Sequence, residues 1–329
     1  MWTSQIRLLR NFTPINLANP VFSGPPINPE ASAFANASSD ASTQAIFFQQ
    51  NFSFRDQVIL TFGLRQDFLD LSETNNFTGV TESDDFSETS LRAALTYKVT
   101  DEISTYASYV ESVAPPTIGI EPERGDQIEF GIKYAPRAIN ALFSASIYEL
   151  NRTDITIPVA LPGGAIVQQT IGENRVRGFD FEAKVDVTER FSLTAAYAYT
   201  DTEVTNGVVF GTDVTGNEFA SVPTNSASIW ATYTVPAQGR RGRFTAGLGG
   251  RYIGEFFFDA FNQPVAPGLS ARSEDAFIVD ASLSYEIVKD AELSIFVSNL
   301  FDEQHVVGRG TADFFNPGRE IAVTLRKSF

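Results

Sequence analysis

The nine residues from 179 to 187 read Phe-Asp-Phe-Glu-Ala-Lys-Val-Asp-Val, so apolar and charged side chains alternate without a break. Successive side chains of a β-strand point to opposite faces, whereas a helix of this sequence would spread its charges around its whole circumference. The stretch therefore predicts a strand with one apolar face and one charged face. The charged face consists of Asp180, Glu182, Lys184 and Asp186.

The same alternation recurs along most of the chain, in about thirteen segments after residue 40, and no segment reads as an amphipathic helix. Most of these segments have about 9–14 residues. A membrane-crossing strand needs about 9–11 residues, while strands of soluble proteins average about 5–6. Length therefore favours the wall of a transmembrane β-barrel over a soluble sandwich. Further examples begin at Leu91, Ile128, Phe191, Ala227, Phe244, Phe277 and Ile321.

The connections between these segments are of two kinds, short polar turns and longer loops. Outer-membrane barrels have short turns at the periplasmic end and long loops at the outer end. The alternation of the two kinds therefore predicts an all-β fold, a transmembrane antiparallel β-barrel of about 13–14 strands. The short turns are at 55–57, 100–102, 135–137, 188–190, 238–242 and 289–290. The longer loops are at 72–86, 112–123, 154–164, 203–222, 256–273 and 303–316.

Composition excludes several classes of function. Lys and Arg total 24 against 40 Asp and Glu, and the net charge of −16 disfavours a nucleic-acid partner because it repels phosphates. The chain has no Cys and one His, His305, so thiol chemistry, disulfides and a Cys- or His-rich metal site are excluded. No run of about 18 apolar residues is present, which excludes a helical membrane span. A single histidine without a partner forms neither a catalytic triad nor a metal site, so we expect no enzyme activity, no metal and no cofactor.

Four segments, in order along the chain, carry a resemblance to a known family. They read Tyr-Ala-Ser-Tyr-Val-Glu-Ser at 106–112, Gln-Ile-Glu-Phe-Gly-Ile-Lys-Tyr at 127–134, Arg-Val-Arg-Gly-Phe-Asp-Phe-Glu at 175–182 and Ser-Asn-Leu-Phe-Asp-Glu at 298–303. Together they resemble the C-terminal barrel portion of TonB-dependent siderophore receptors. Residues 12–21 also resemble a loop of the ferrichrome-type, or hydroxamate, subgroup of that family.

The resemblance implies a Gram-negative outer-membrane receptor that transports ferric siderophores with energy from TonB. Such receptors combine an N-terminal plug with a 22-stranded barrel. We therefore expect residues 41–329 to form the C-terminal part of the barrel and the plug to be absent, so that the chain is a fragment. Residues 1–40 would be a possible strand remnant, at about 2–10, and a long loop.

Because receptors of this family lie in the outer membrane, the resemblance also implies a set of partners. They are outer-membrane lipid and lipopolysaccharide, a ferric siderophore as the transported ligand, and the barrel-assembly machinery. The TonB complex would act only through a plug missing from this chain.

Aromatic side chains in two of the long loops are the candidate contacts for a siderophore. Aromatic rings offer flat apolar surface and an electron-rich face for a cation. Packing between loops and a belt of aromatic residues at the membrane interface are the alternative interpretations. The candidates are Phe256, Phe257, Phe258, Phe261, Phe314 and Phe315.

We predict roles for two further sets of residues, one in the barrel lumen and one in barrel assembly. The charged row of Asp180, Glu182, Lys184 and Asp186 is expected to face the barrel lumen, where it would contact a plug or only water. An alternating segment that ends in an aromatic residue is the second set, and we expect it to be the recognition signal for barrel assembly. That segment contributes Ile321, Val323, Leu325 and the terminal Phe329.

Two other functions stay open at this point. About 14 strands could close into a passive outer-membrane channel that works without TonB. A soluble β-rich surface adhesin is the more distant alternative, because its apolar rows would form a large exposed apolar band.

Overall fold

The computed structural model describes seven segments of the chain and divides them between two units. The first unit takes the described residues that fall within 1–49, 63–91 and 113–123, and the second takes those within 50–62, 92–112 and 124–329. The described residues contain no helix, and so none that is long and apolar enough to cross a membrane. The described segments are 2–9, 33–114, 118–160, 166–239, 241–264, 266–309 and 312–328.

The described residues form seventeen strands, of which six have 18 or more residues. The strands are Trp2–Leu9 (β1), Ala33–Phe54 (β2), Val58–Asn75 (β3), Val80–Lys98 (β4), Ile103–Ala114 (β5), Glu123–Tyr134 (β6), Ala141–Ala160 (β7), Ile166–Asp186 (β8), Phe191–Val209 (β9), Thr212–Asp213 (β10), Asn225–Val235 (β11), Phe244–Ile253 (β12), Ala276–Val288 (β13), Ala291–Ser298 (β14), Val306–Arg309 (β15), Asp313–Phe315 (β16) and Glu320–Lys327 (β17).

Strands that follow one another along the chain pair in the main sheet, apart from the short β10, β15 and β16, which lie off its path. The order is β1 to β9, then β11, β12, β13, β14 and β17, while the two-residue β10 pairs with β9 alone and β15 pairs with β16. Such a meander needs only hairpin connections, which is the simplest way for antiparallel strands to follow one another. Fourteen strands lie on this path, and the predicted all-β antiparallel fold of about 13–14 strands is confirmed.

The register of the second unit places apolar residues beside apolar ones. Phe181 of β8 lies between Ala145 of β7 and Tyr197 of β9. The charged Glu182, one residue later, lies between Ser144 and Ala196 on the opposite face. Register in a sheet is fixed where a shift of one residue would exchange its two faces. The alternation seen at residues 179–187 therefore extends across neighbouring strands.

The apolar face of this wall is exposed rather than packed. Phe130 is 55% exposed, Ile147 58% and Leu283 47%, although each lies within a long strand. Water-soluble proteins bury such rows, whereas the outward band of a membrane barrel leaves them to the hydrocarbon. The exposed apolar rows are consistent with a wall that a bilayer covers.

The short turns lie where the sequence predicts them. Arg55 and Asp56 both adopt a positive φ, 51° and 55°, and the Gln57 amide donates to the Phe54 carbonyl over 3.0 Å. Positive φ at both central residues gives a short hairpin turn a backbone twist that matches the twist of the flanking strands. At the β13–β14 turn, Asp290 has a φ of 64°.

The predicted long loops at 72–86 and 154–164 are wrong over most of their length. Strands β3 and β4 continue to Asn75 and from Val80, and β7 and β8 continue to Ala160 and from Ile166. The polar composition suggested a loop, but a hairpin ladder satisfies its own backbone hydrogen bonds and needs no apolar face outside a membrane. The Asn75 side chain closes the first hairpin, since its Oδ1 accepts from the amides of Phe77 and Thr78.

Two tyrosine rings of the polar face lie over glycines of the next strand. The ring of Tyr106 on β5 fills the space above Gly131 on β6, and the ring of Tyr148 on β7 fills the space above Gly178 on β8. A Cβ at either glycine would overlap its ring. A glycine in a strand interior loses packing, and an aromatic ring laid over it restores that packing.

Some sequence-based expectations concern residues outside the described segments. Phe329 and the ferrichrome-like loop at residues 12–21 are among them. Strand β1 occupies Trp2–Leu9, where a strand is expected at about 2–10. The domain boundary at residue 40 stays a prediction, and β2 runs through that position.

Candidate ligand-binding loops

Three loops of the second unit emerge at the same end of the sheet. They connect β9 to β11 (residues 210–224), β12 to β13 (254–275) and β14 to β17 (299–319). We call them loops A, B and C. Because the strands are antiparallel and adjacent, every second connection returns to this end, and the short turns lie at the other. The three loops are long enough to fold against one another.

Loops A and B are joined by a backbone hydrogen bond and by the side chain of Asn262. The Ser221 amide of loop A donates to the Phe257 carbonyl of loop B over 2.8 Å. Asn262 of loop B accepts from the Glu218 amide through Oδ1 at 2.7 Å and donates to the Glu218 carbonyl through Nδ2 at 3.0 Å. An amide side chain used in this way replaces a strand-like pair of backbone hydrogen bonds, so the two loops are held in a fixed register.

Arg272 is the electrostatic centre of this junction. Its guanidinium donates to Glu218 of loop A at 2.6 Å and to Glu255 of loop B at 2.8 Å. The same group lies over the ring of Phe257, 4.0 Å from the ring centroid. The planar guanidinium can bridge two carboxylates and stack on a ring at once, which an ammonium group does less well.

Arg309 makes the corresponding connection between loops B and C. It belongs to the small hairpin of β15 and β16, and its guanidinium donates to Asp313 at 2.6 Å within that hairpin. It also donates to the Ser270 carbonyl of loop B at 2.7 Å. Its guanidinium carbon lies 4.5 Å from the ring centroid of Phe258. Both arginines therefore combine a carboxylate, a phenylalanine face and a neighbouring loop.

A small apolar core supports loops A and B from below. It is formed where the outer ends of β7 and β9 meet loop A, and Phe261 of loop B packs against it. Burial of such a cluster contributes about 25 cal/mol for each Å² of apolar surface removed from water. The loops therefore rest on a packed base. Its residues are Ile155, Val204, Val209 and Val214, with Phe219, Ala260 and Phe261 partly buried against them.

The structure separates the six candidate aromatic residues into two groups. Phe256 is 7% exposed and lies edge-on to Phe258, with ring centroids 5.8 Å apart. Phe257, Phe258 and Phe261 are engaged with Arg272, Arg309 and the small core, as described above. Phe314 and Phe315 in β16 are 60% and 56% exposed. Only this second group presents rings freely to the surroundings, and the siderophore contact stays a prediction for all six.

The other two predicted sets also stay predictions. Asp180, Glu182 and Lys184 lie on the face opposite Phe179 and Phe181, and Asp186 accepts a hydrogen bond from Asn140 Nδ2 at 2.5 Å. On β17, Ile321, Val323 and Leu325 share one face, are 64–68% exposed, and pair with Val297, Ile295 and Leu293.

The hairpin of loop C is expected to respond to acid. The Arg309 guanidinium donates to Asp313 and holds the pKa of that carboxyl below its usual value. A lowered pKa stabilises the folded hairpin above the ordinary aspartate pKa of about 3.9, and this contribution is lost as the pH falls through the lowered value. We expect amide hydrogen exchange in residues 306–315, corrected for intrinsic rates, to speed up below about pH 4.

Asp313→Asn is the control for that measurement. The variant should exchange faster than the native hairpin at neutral pH and show no further loosening on acidification. A native hairpin that exchanges equally slowly at pH 3 and pH 7 would contradict the assignment.

Sequence reasoning missed the polar residues that join the loops, namely Glu218, Asn262, Arg272 and Arg309. No local pattern marks them, because their partners lie up to 54 residues away. The only available signal was the position of Glu255 beside the phenylalanine run and of Asp313 before Phe314. In the described part of the chain, no group of three or more His, Cys, Asp and Glu side chains could hold a metal ion.

An antiparallel meander with an exposed apolar face, short turns at one end and interlocked loops at the other defines a class of protein, the outer-membrane β-barrels. The chain belongs to the TonB dependent receptor-like, beta-barrel family, whose model matches residues 5–300. Proteins of this family lie in the outer membrane of Gram-negative bacteria, and the resemblance found in the sequence is confirmed.

Curated relatives with related functions support this assignment. The chain is 29% identical over 286 residues to the ferrichrome outer membrane transporter/phage receptor of Escherichia coli K12, covering 83% of this chain and 36% of the relative. It is 26% identical over 322 residues to the ferrioxamine B receptor of Salmonella typhimurium LT2, covering 95% and 43%. The chain therefore spans less than half the length of these relatives.

Solved structures show the same fold. The siderophore receptor PiuA from Acinetobacter baumannii superposes with a TM-score of 0.73 at 21% identity, covering 90% of this chain and 44% of that one. The ferric-catecholate import receptor Fiu from Escherichia coli K12, in its closed form, gives a TM-score of 0.75 at 19% identity, covering 99% and 50%. None of the relatives named here is described as a passive channel or an adhesin, so those two alternatives gain no support.

Proposed function

We propose that the protein binds a ferric siderophore at its outer loops and takes part in its import across the outer membrane. The observation that carries the proposal is the junction of loops A, B and C, in which Arg309 ties loop C to loop B while Phe314 and Phe315 of loop C stay exposed. Support also comes from the family and from relatives that are named as ferrichrome and ferrioxamine receptors.

The proposal involves binding and passage and no covalent chemistry by the protein. The ferric ion is part of the cargo and not a resident cofactor. Energy from the TonB complex through a plug domain, contact with lipopolysaccharide and insertion by the barrel-assembly machinery belong to the proposal at the level of the family. In the same way, we propose that the charged row of Asp180, Glu182, Lys184 and Asp186 faces the lumen.

The direct test is ligand binding by the protein isolated from outer membranes in detergent. We expect ferrichrome or ferrioxamine B to bind, and the Phe314→Ala/Phe315→Ala variant to bind roughly 10- to 100-fold more weakly. The loss follows because exposed aromatic anchors in an interface cost about 1–3 kcal/mol when they are truncated. Titration calorimetry with the metal-loaded ligand measures the dissociation constant.

The matched control is Phe54→Ala, since Phe54 is 56% exposed but lies beside the short turn at the other end of the sheet. Its affinity should equal that of the unchanged protein. If the Phe314→Ala/Phe315→Ala variant binds with the same affinity as the unchanged protein, these two rings are not part of the binding site. Failure of every ferric siderophore to bind would overturn the proposed function.

A further inference from the structure

Loops A, B and C carry a marked excess of negative charge. They hold nine carboxylates against three arginines, a formal net charge of −6 on the surface where the proposed ligand arrives. A surface of one sign raises or lowers the local concentration of charged ligands by a factor of about 10 or more. The carboxylates are Asp213, Glu218, Glu255, Asp259, Glu274, Asp275, Asp302, Glu303 and Asp313, and the arginines are Arg272, Arg309 and Arg319.

The positive charges that the loops do contain are already engaged. Arg272 is held between two carboxylates and Arg309 is paired with Asp313, as described above. The Arg319 guanidinium lies 3.5 Å from the Leu300 carbonyl, beside Asp302, which accepts from the Arg319 amide at 2.7 Å. An anionic ligand would therefore have to displace a carboxylate from Arg272 or Arg309, and among the described loop arginines Arg319 is the one whose guanidinium it could meet without doing so.

The groups that remain exposed favour the opposite kind of ligand. Glu274 and Glu303 are exposed on loops B and C, and the rings of Phe314 and Phe315 are exposed on the same loop as Glu303. Carboxylates attract a cation, and the face of an aromatic ring does so as well, by about 0.5–1 kcal/mol at an exposed site. A neutral chelate meets apolar surface without repulsion.

We infer, on the basis of the proposed function, that these loops select a neutral or cationic ferric chelate and reject anionic ones. The class fits ferric trihydroxamates, whose metal centre is neutral because three hydroxamate anions balance Fe³⁺. It does not fit ferric tricatecholates, whose centre carries three negative charges. Selection acts through the summed charge of the loops, so it weakens as salt shortens the Debye length.

The experiment varies ligand charge at constant shape. Three ferric trihydroxamates with the ferrioxamine B framework differ only at the chain end: the free ammonium (+1), its N-acetyl derivative (0) and its N-succinyl derivative (−1). Binding to the protein isolated from outer membranes is measured at about 20 mM and at about 1 M salt. We expect the cation to bind about 10-fold more tightly than the anion at low salt, with the ratio approaching one at high salt.

The possible outcomes separate this inference from the proposal on which it rests. Binding of all three ligands with equal affinity, or tighter binding of the anion, would overturn the inference and leave the proposed function intact. Binding of none of them, and of no ferric tricatecholate either, would overturn the proposed function and the inference with it. Binding of a ferric tricatecholate alone would overturn the inference.

A pair of matched variants tests whether the charge of the loops is the cause. Glu274→Lys changes an exposed loop carboxylate, and Glu189→Lys makes the same change in the exposed β8–β9 turn at the other end of the sheet. The first variant should reduce the cation-to-anion affinity ratio at low salt by about 2- to 5-fold, whereas the second should leave it unchanged. Equal effects of the two variants would contradict selection by the loops.

Discussion

Arg272→Ala is expected to loosen the junction of loops A and B by about 1–3 kcal/mol, because it removes two short ion pairs and a stacked ring contact at a site that is 29% exposed. Glu218 and Glu255 would be left facing each other without a cation, which adds repulsion. Amide hydrogen exchange in residues 254–275 should speed up by roughly 10- to 100-fold. The affinity for a ferric siderophore should fall with it, since a loosened loop must be ordered again on binding.

The control for this prediction is Arg243→Ala at the other end of the sheet. Arg243 lies 3.4 Å from Glu292 and is 57% exposed, so its pair contributes little. Its removal should change neither the exchange of loop B nor the affinity. Slow exchange of loop B in Arg272→Ala, equal to that of the unchanged protein, would show that the Ser221 amide and the Asn262 side chain hold the junction alone.

Gly131→Val is the second change with a large expected effect, a loss of about 1–3 kcal/mol of stability. The ring of Tyr106 lies where the new side chain would stand, and it is held there by a hydrogen bond to Glu129 and by Lys133, whose Nζ lies 5.4 Å from the ring centroid. The ring must move and give up these contacts. The midpoint of unfolding in urea, or the temperature at which the folded band disappears on a gel, measures the loss.

A double variant shows whether the ring is the reason. Tyr106→Ala/Gly131→Val should be destabilised by less than the sum of its two single changes, because the collision is gone once the ring is removed. Gly308→Val is the matched control, since the nearest atom to a Cβ there is 3.9 Å away. Strictly additive single effects would show that the cost lies in the backbone of β6 rather than in the ring.

The sequence alone predicted the wall of this protein well. Alternation with a period of two is a local property, and it fixes which residues share a face without knowledge of the partner strand. Residues 179–187 therefore predicted not only β8 but also the face that meets Ala145 and Tyr197. The turns at 55–57 and 289–290 were predictable for the same reason, since a hairpin turn depends on the residues inside it.

The polar hairpin ends were assigned wrongly because a polar stretch in such a chain is compatible with two structures, a loop or a strand pair outside the membrane. Residues 72–86 lack an apolar face, which in a soluble protein indicates a loop. In a barrel the same composition also describes a ladder that leaves the membrane, where both faces meet water. The hydrogen bonds of the backbone, which the sequence does not display, decide between the two.

The sequence by itself thus determined the alternating parts of the strands, their faces and the negative charge of the outer loops, because each of these follows from neighbouring residues or from simple counting. Only the tertiary structure decided which of the six loop phenylalanines are packed and which are exposed. Phe256 and Phe261 are packed and Phe257 and Phe258 are covered by arginines, while Phe314 and Phe315 stay exposed. The physical reason is that their surroundings come from loops far apart in the chain, which meet only when antiparallel strands bring them to one end of the sheet.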